Sequence, residues 1–123
     1  MKSLIPLVFL SALTFSVIAT GAAAAENRCG YIENPTPGNW WLTDADASWT
    51  IGTQGSDAYP DGFDLVPDIS AGDYRATNGN YGYACACMSV DTDRADERIT
   101  AIYSFKQIPL SRCEKDPALN RPE

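Results

Sequence analysis

Two of the four cysteines in this 123-residue chain stand one residue apart, at Cys85-Ala86-Cys87, and that spacing restricts the fold more than any other feature. On an extended strand, residues i and i+2 project on one face with Cα atoms about 6.5–7 Å apart, at the edge of what a disulfide can bridge. A bond between Cys85 and Cys87 is therefore disfavoured. Each is expected to reach outward, one to Cys29 and the other to Cys113, and the spacing leaves open which goes to which. Either pairing ties both ends of a domain to one central strand, and chain-entropy arguments put each bond at roughly 3–4 kcal/mol for loops of tens of residues.

Disulfides need an oxidising compartment, and the amino terminus points to one. Lys2 is followed by an apolar stretch from Leu4 to Ile18 and then by small residues, Gly21 to Ala25. That is the three-part pattern of a secretory signal peptide over residues 1–25, with Ala23-Ala24-Ala25 fitting the cleavage rule. The apolar core is short for a span of roughly 20 residues, and the first cysteine, Cys29, lies beyond the cleavage point, which argues against a lipoprotein. The expected product is a single small β domain over residues 26–123, periplasmic or secreted, not inserted in a membrane and too short to hold two domains.

Alternation of apolar and polar residues recurs after residue 26, and helical periodicity does not. Cys29 to Ile32 is a short first strand ended by Asn34-Pro35-Thr36-Pro37-Gly38, and Trp40-Trp41-Leu42 with Trp49-Thr50-Ile51 forms a hairpin around residues 43–48. Residues 55–72 are rich in Gly, Asp and Pro and predict a long loop with at most a short strand at Phe63 to Val66. Asn78-Gly79 predicts a two-residue turn joining Asp73 to Thr77 with the strand over residues 80–90, which is apolar or small on both faces and so suits a central position. Arg98 to Ile108 is a half-buried strand with Ile99, Ala101, Tyr103 and Phe105 on one face and Ile102 on the other. The pattern predicts an all-β fold, a small antiparallel barrel or sandwich of about six strands, stapled by disulfides.

Chemistry is sparse. The chain has no histidine, which removes Ser-His-Asp and Cys-His nucleophilic sites, imidazole-based zinc sites and the commonest general base. Paired carboxylates such as Asp44 with Asp46 or Asp61 with Asp64 are the residue type that glycoside hydrolysis uses, but they are equally turn aspartates in a domain with little room for a cleft. The run from Asp91 to Glu97 lacks the glycine and glutamate of a calcium loop and predicts a hairpin loop instead. No cofactor is implied. Nine Lys and Arg stand against sixteen Asp and Glu, a net charge of −7 that loss of Lys2 deepens by one. This disfavours nucleic acid and anionic membranes as partners and favours a basic protein. Glu33, Asp44, Asp46, Asp57, Asp61, Asp64, Asp68 and Asp73 all lie between Arg28 and Arg75, where no basic residue occurs.

Adjacent tryptophans on a strand face opposite sides, so Trp40 and Trp41 cannot enter one core layer together. One of them, with Asn78, Asn80, Tyr81 and Tyr83, is the candidate binding surface, since aromatic rings beside amide side chains suit a protein partner or a glycan.

Three stretches together resemble a family of small exported proteins from Gram-negative bacteria catalogued as a domain of unknown function. They are Arg28-Cys29-Gly30 with Glu33-Asn34-Pro35-Thr36-Pro37-Gly38-Asn39-Trp40-Trp41-Leu42-Thr43-Asp44, then Asn78-Gly79-Asn80-Tyr81-Gly82-Tyr83-Ala84-Cys85-Ala86-Cys87, and Cys113-Glu114-Lys115-Asp116-Pro117-Ala118-Leu119. The resemblance implies an envelope or secreted location and no catalytic residues. The function expected from the residues is a non-catalytic binding domain for a basic protein, analogous in size, charge and compartment to periplasmic lysozyme inhibitors or immunity proteins. The alternative is a carbohydrate or cell-wall binding module. A third is a redox or copper protein using Cys85 and Cys87 beside Met88.

Overall fold

The structure is a computed structural model describing residues 3–15 and 25–122. Residues 3–15 are exposed and carry no regular secondary structure, and the Ala23-Ala24 part of the expected cleavage site lies outside the described residues. Six strands follow: β1 (Glu26–Thr36), β2 (Asn39–Thr43), β3 (Ser48–Gly52), β4 (Tyr74–Asn78), β5 (Tyr81–Asp93) and β6 (Arg98–Ile108). They form one sheet in the order β1-β2-β3-β6-β5-β4, and β1 also pairs with β5, so five of the strands close into a ring. Every pairing is antiparallel except β3 with β6, which is parallel.

β5 is the central strand because one of its edges faces β1 from Gly82 to Val90 while the other is shared, first by β4 and then by β6. Its even-numbered residues Ala84, Ala86, Met88 and Val90 join Ile32, Leu42, Trp49, Ile51, Ile99 and Ile102 in the main core. Its odd-numbered residues Tyr83 and Cys85 join Tyr31, Leu110 and Cys113 in a second cluster on the other face. The second cluster is covered by a short helix, α1 (Leu110–Glu114), and by Leu119 of the tail.

Both cysteines of the Cys85-Ala86-Cys87 pair reach outward. Cys87 bonds Cys29, its direct cross-strand neighbour on β1, and Cys85 bonds Cys113 on α1. One bridge therefore joins two neighbouring strands of the ring, and the other fastens the helix that follows the ring to the same strand, β5.

Three local readings are corrected. Phe63 to Leu65 is a turn of 3-10 helix, with a second turn at Ile69 to Ala71, in place of a short strand. This segment fills a gap in the ring where β3 meets β6 through a single residue pair, Thr50 with Arg98. There Asp61 bridges to Ala101, and its carbonyl accepts the Ile102 amide at 2.8 Å. Gly62 follows with φ +84°, and a Cβ there would stand 1.9 Å from the Ile102 carbonyl oxygen, so the close approach requires glycine. Second, the β4–β5 turn is Gly79-Asn80, one residue later than expected. Gly79 takes the left-handed conformation at φ +59°, and an irregularity between Ala76 and Asn78 moves the register. Third, Ile102 faces the main core with Ile99, while Tyr103 is 57% exposed. Two bulges cause this, because Thr100 and Tyr103 are extra residues against β5 and each flips the alternation, giving an inward spacing of three at Ile99, Ile102 and Phe105.

Candidate functional site

The register of β1 determines which side chains meet on the outer face. Glu33 lies opposite Trp41 on β2 and opposite Tyr83 on β5. Trp41 in turn lies opposite Thr50 on β3, and Tyr83 opposite Arg75 on β4. Directly opposed residues share a face with Cβ atoms about 4.5–5.5 Å apart. The outer surface thus carries a row running Thr50, Trp41, Glu33, Tyr83, Arg75.

Trp40 and Trp41 separate as their alternation requires. Trp40 packs against the main core and meets Phe63 edge to face at 5.7 Å, with Tyr59 stacked obliquely on Phe63 at 4.9 Å. Trp41 stays on the outer face and is half-buried. Of the other candidate residues, Asn78 and Asn80 are exposed at the hairpin, Tyr81 is half-buried and Tyr83 is buried. Tyr83 packs edge to face on Tyr31 at 5.5 Å, and its hydroxyl accepts a hydrogen bond from Arg121 Nε at 3.2 Å. The tail thus meets the row at Tyr83, while Trp41 and Glu33 are each half-buried.

Glu33 is the unusual member. It is half-buried, and its Oε2 accepts the Thr43 hydroxyl at 2.6 Å. Burial pushes its carboxyl above the usual glutamate range, and the Thr43 hydrogen bond only partly opposes this. Among the described residues no Lys or Arg forms an ion pair with it.

The other carboxylates from the acidic stretch are occupied differently. Arg28, 6% exposed at the start of β1, pairs with Asp44 at 2.7 Å, Asp46 at 3.0 Å and Glu26 at 2.6 Å, and its guanidinium lies 4.1 Å from the centre of the Trp49 ring. Asp44 also accepts the Trp49 indole N–H at 3.0 Å and the amides of Asp46 and Ala47. Burial acts upward on Asp44, yet Arg28 and these donors together hold it below the usual aspartate range. Asp68 caps the second 3-10 turn through the Ser70 amide and hydroxyl, and Asp73 accepts the Leu110 amide at 2.8 Å. Much of the acidity between Arg28 and Arg75 is therefore structural.

The four cysteines are all in disulfides, and a pocket of about 120 Å³ beneath α1 is lined by both bridges with Arg112 and Asp116. Sequence reasoning placed Trp41 and Tyr83 in the candidate surface but treated Glu33 as one charge among many. Counting back along both strands from the Pro37-Gly38 turn sets Asn34 against Trp41, and only the irregularity between Glu33 and Thr36 brings Glu33 to that position, so the pairing was not readable from turn and strand lengths.

Two disulfides fit an oxidising compartment outside the cytoplasm. Among the described residues, no helix is long and apolar enough to cross a membrane. No curated protein and no solved structure matches the chain. The family model described as "Protein of unknown function (DUF4087)" matches residues 23–120, a stretch that includes every strand, both disulfides and the Trp41–Glu33 row, and the chain belongs to that family.

Proposed function

We propose that this is an exported, non-catalytic binding domain that docks a basic protein on the outer face of β2 and β1, beside the β4–β5 hairpin. The observation that carries the reading is Glu33, a half-buried carboxylate without an ion-pair partner among the described residues, set opposite the half-buried Trp41 on the outer face. A carboxylate that burial disfavours gains most when a cation arrives with the desolvating partner. The net charge of −7 steers a basic partner towards the domain as a whole.

Calorimetric titration with a panel of small basic enzymes, lysozymes among them, and separately with peptidoglycan fragments tests this. Binding of a basic protein that weakens steeply between about 0.05 and about 0.5 M salt, and that Trp41→Ala diminishes, is the expected result. Heat with peptidoglycan fragments alone, insensitive to salt, would replace it with the cell-wall reading, in which Trp41 stacks on a sugar ring.

A further inference from the structure

The molecule contains its own example of what a tryptophan and a carboxylate do together. At one end of β1, Trp49 donates its indole N–H to Asp44, and the Arg28 guanidinium lies over the Trp49 ring while bonding the Asp44 carboxylate at 2.7 Å. On the outer face Trp41 stands directly opposite Glu33, and Glu33 is oriented by the Thr43 hydroxyl through one of its oxygens. A tryptophan and a carboxylate are both present there, related by strand register where Trp49 and Asp44 share a hydrogen bond, and no described Lys or Arg forms an ion pair with Glu33.

We propose that the Trp41–Glu33 pair is a recognition site for an arginine side chain of the basic partner, which completes on the outer face the arrangement that Arg28 completes internally. The inference rests on the docking surface proposed above and names the group recognised there. Arginine suits the site better than lysine. Its planar guanidinium stacks on an indole face and still directs a fork of N–H donors at a carboxylate, which a compact ammonium cannot do at once. The position also has limits that favour a side chain over a larger group. Tyr83 on the far side of Glu33 is held by Tyr31 and Arg121, and the Thr43 hydroxyl occupies one Glu33 oxygen, so Glu33 is already flanked on two sides.

The test uses a short peptide of glycine and serine with one central arginine, and its twin with citrulline, a neutral residue of nearly the same shape. Both are titrated into isotopically labelled protein while the amide and indole resonances are followed. The expected result is a saturable shift of the Trp41 indole and of the Glu33 and Thr43 amides with the arginine peptide. The citrulline peptide, and the arginine peptide with Glu33→Gln, should each bind about tenfold or more weaker. Glu33→Gln keeps the side-chain shape and removes an unfavourably buried charge, so the variant is expected to fold. Equal shifts with both peptides, shifts that survive Glu33→Gln, or an arginine response centred away from Trp41 would overturn the assignment. Such a failure is separable from failure of the docking surface itself. If a basic protein still binds and Trp41→Ala still weakens it, the face is the interface and only the arginine recognition is wrong.

Discussion

Asp44 and Glu33 are carboxylates on neighbouring stretches of chain, each associated with a tryptophan and each removed in part from water, yet their charges fare in opposite ways. Asp44 is held below its ordinary range because Arg28, the Trp49 indole and two backbone amides offset its burial. Glu33 is pushed above its ordinary range because burial meets only the Thr43 hydroxyl. The difference is the donor set, a guanidinium with three N–H groups on Asp44 against a single hydroxyl on Glu33. With a cation and enough donors, a buried acid becomes part of the structure; without them, the acid is a cost to the folded state that a partner can relieve.

The largest effect should come from removing that guanidinium. Arg28→Met leaves Asp44, whose side chain is 7% exposed, without its cation, and the unfolding free energy should fall by about 3–5 kcal/mol. Denaturant unfolding followed by tryptophan fluorescence measures it. A loss below about 1 kcal/mol would mean that Asp44 is satisfied by its N–H donors alone, and the contrast with Glu33 would collapse. The two tryptophans should differ in the same sense. Trp49 is 2% exposed and central to the core, so Trp49→Ala should cost about 3–5 kcal/mol. Trp41→Ala, on the outer face, should cost about 1 kcal/mol. Comparable losses would mean that the Trp41 ring is a core residue and not a surface left for a partner.

The pH dependence of stability separates the two acids by sign. A carboxylate with a depressed folded value stabilises above its unfolded value and loses that contribution as pH falls through the folded one. For Asp44 the loss therefore begins near its ordinary value of 3.8 and continues downward. Glu33 does the reverse. Its folded form holds the proton more tightly than the unfolded chain, so stability is greatest below its ordinary value of 4.5 and declines as pH rises through the raised one. Thermal unfolding across pH 2–8, a range about those ordinary values, should show a rising acid limb followed by a shallow decline. Asp44→Asn should flatten the first, and Glu33→Gln the second.

Much of this fold was legible because its signals are local. The alternation in β6, the turn chemistry at Gly38 and Gly79, and the small residues of β5 each specify an element from within a few residues. The Cys85-Ala86-Cys87 spacing showed that both cysteines bond outward, but choosing Cys29 for Cys87 needed the β1–β5 register, a pairing between segments 58 residues apart. The Arg28 cluster was hidden for the same reason, since Arg28 and Asp44 are 16 residues apart and meet only once β1 and β2 are in register. The bulges at Thr100 and Tyr103 defeat a reading that assumes strict alternation, because an inserted residue leaves no mark in composition. Glu33 was countable as charge, but its burial, which gives it meaning, belongs to the folded face.

The smallest predicted stability change offers the sharpest check on the comparison, because it supplies from within what Glu33 lacks. Thr50 lies opposite Trp41 on the outer face, and an arginine there is long enough to extend across the indole towards Glu33. Thr50→Arg should lower the Glu33 carboxyl towards or below its ordinary range, because a cation favours the charged form against burial. The gain in stability should be no more than about 1 kcal/mol, since a long side chain on the outer face is ordered only partly. The decline in stability above the ordinary glutamate range should shrink, and carboxyl resonances in an NMR titration would locate the shift at Glu33. The same variant should no longer respond to the arginine peptide, because its site is already filled. If Glu33 moved down while the peptide still bound as before, the uncompensated charge would be real but would not be what the partner recognises.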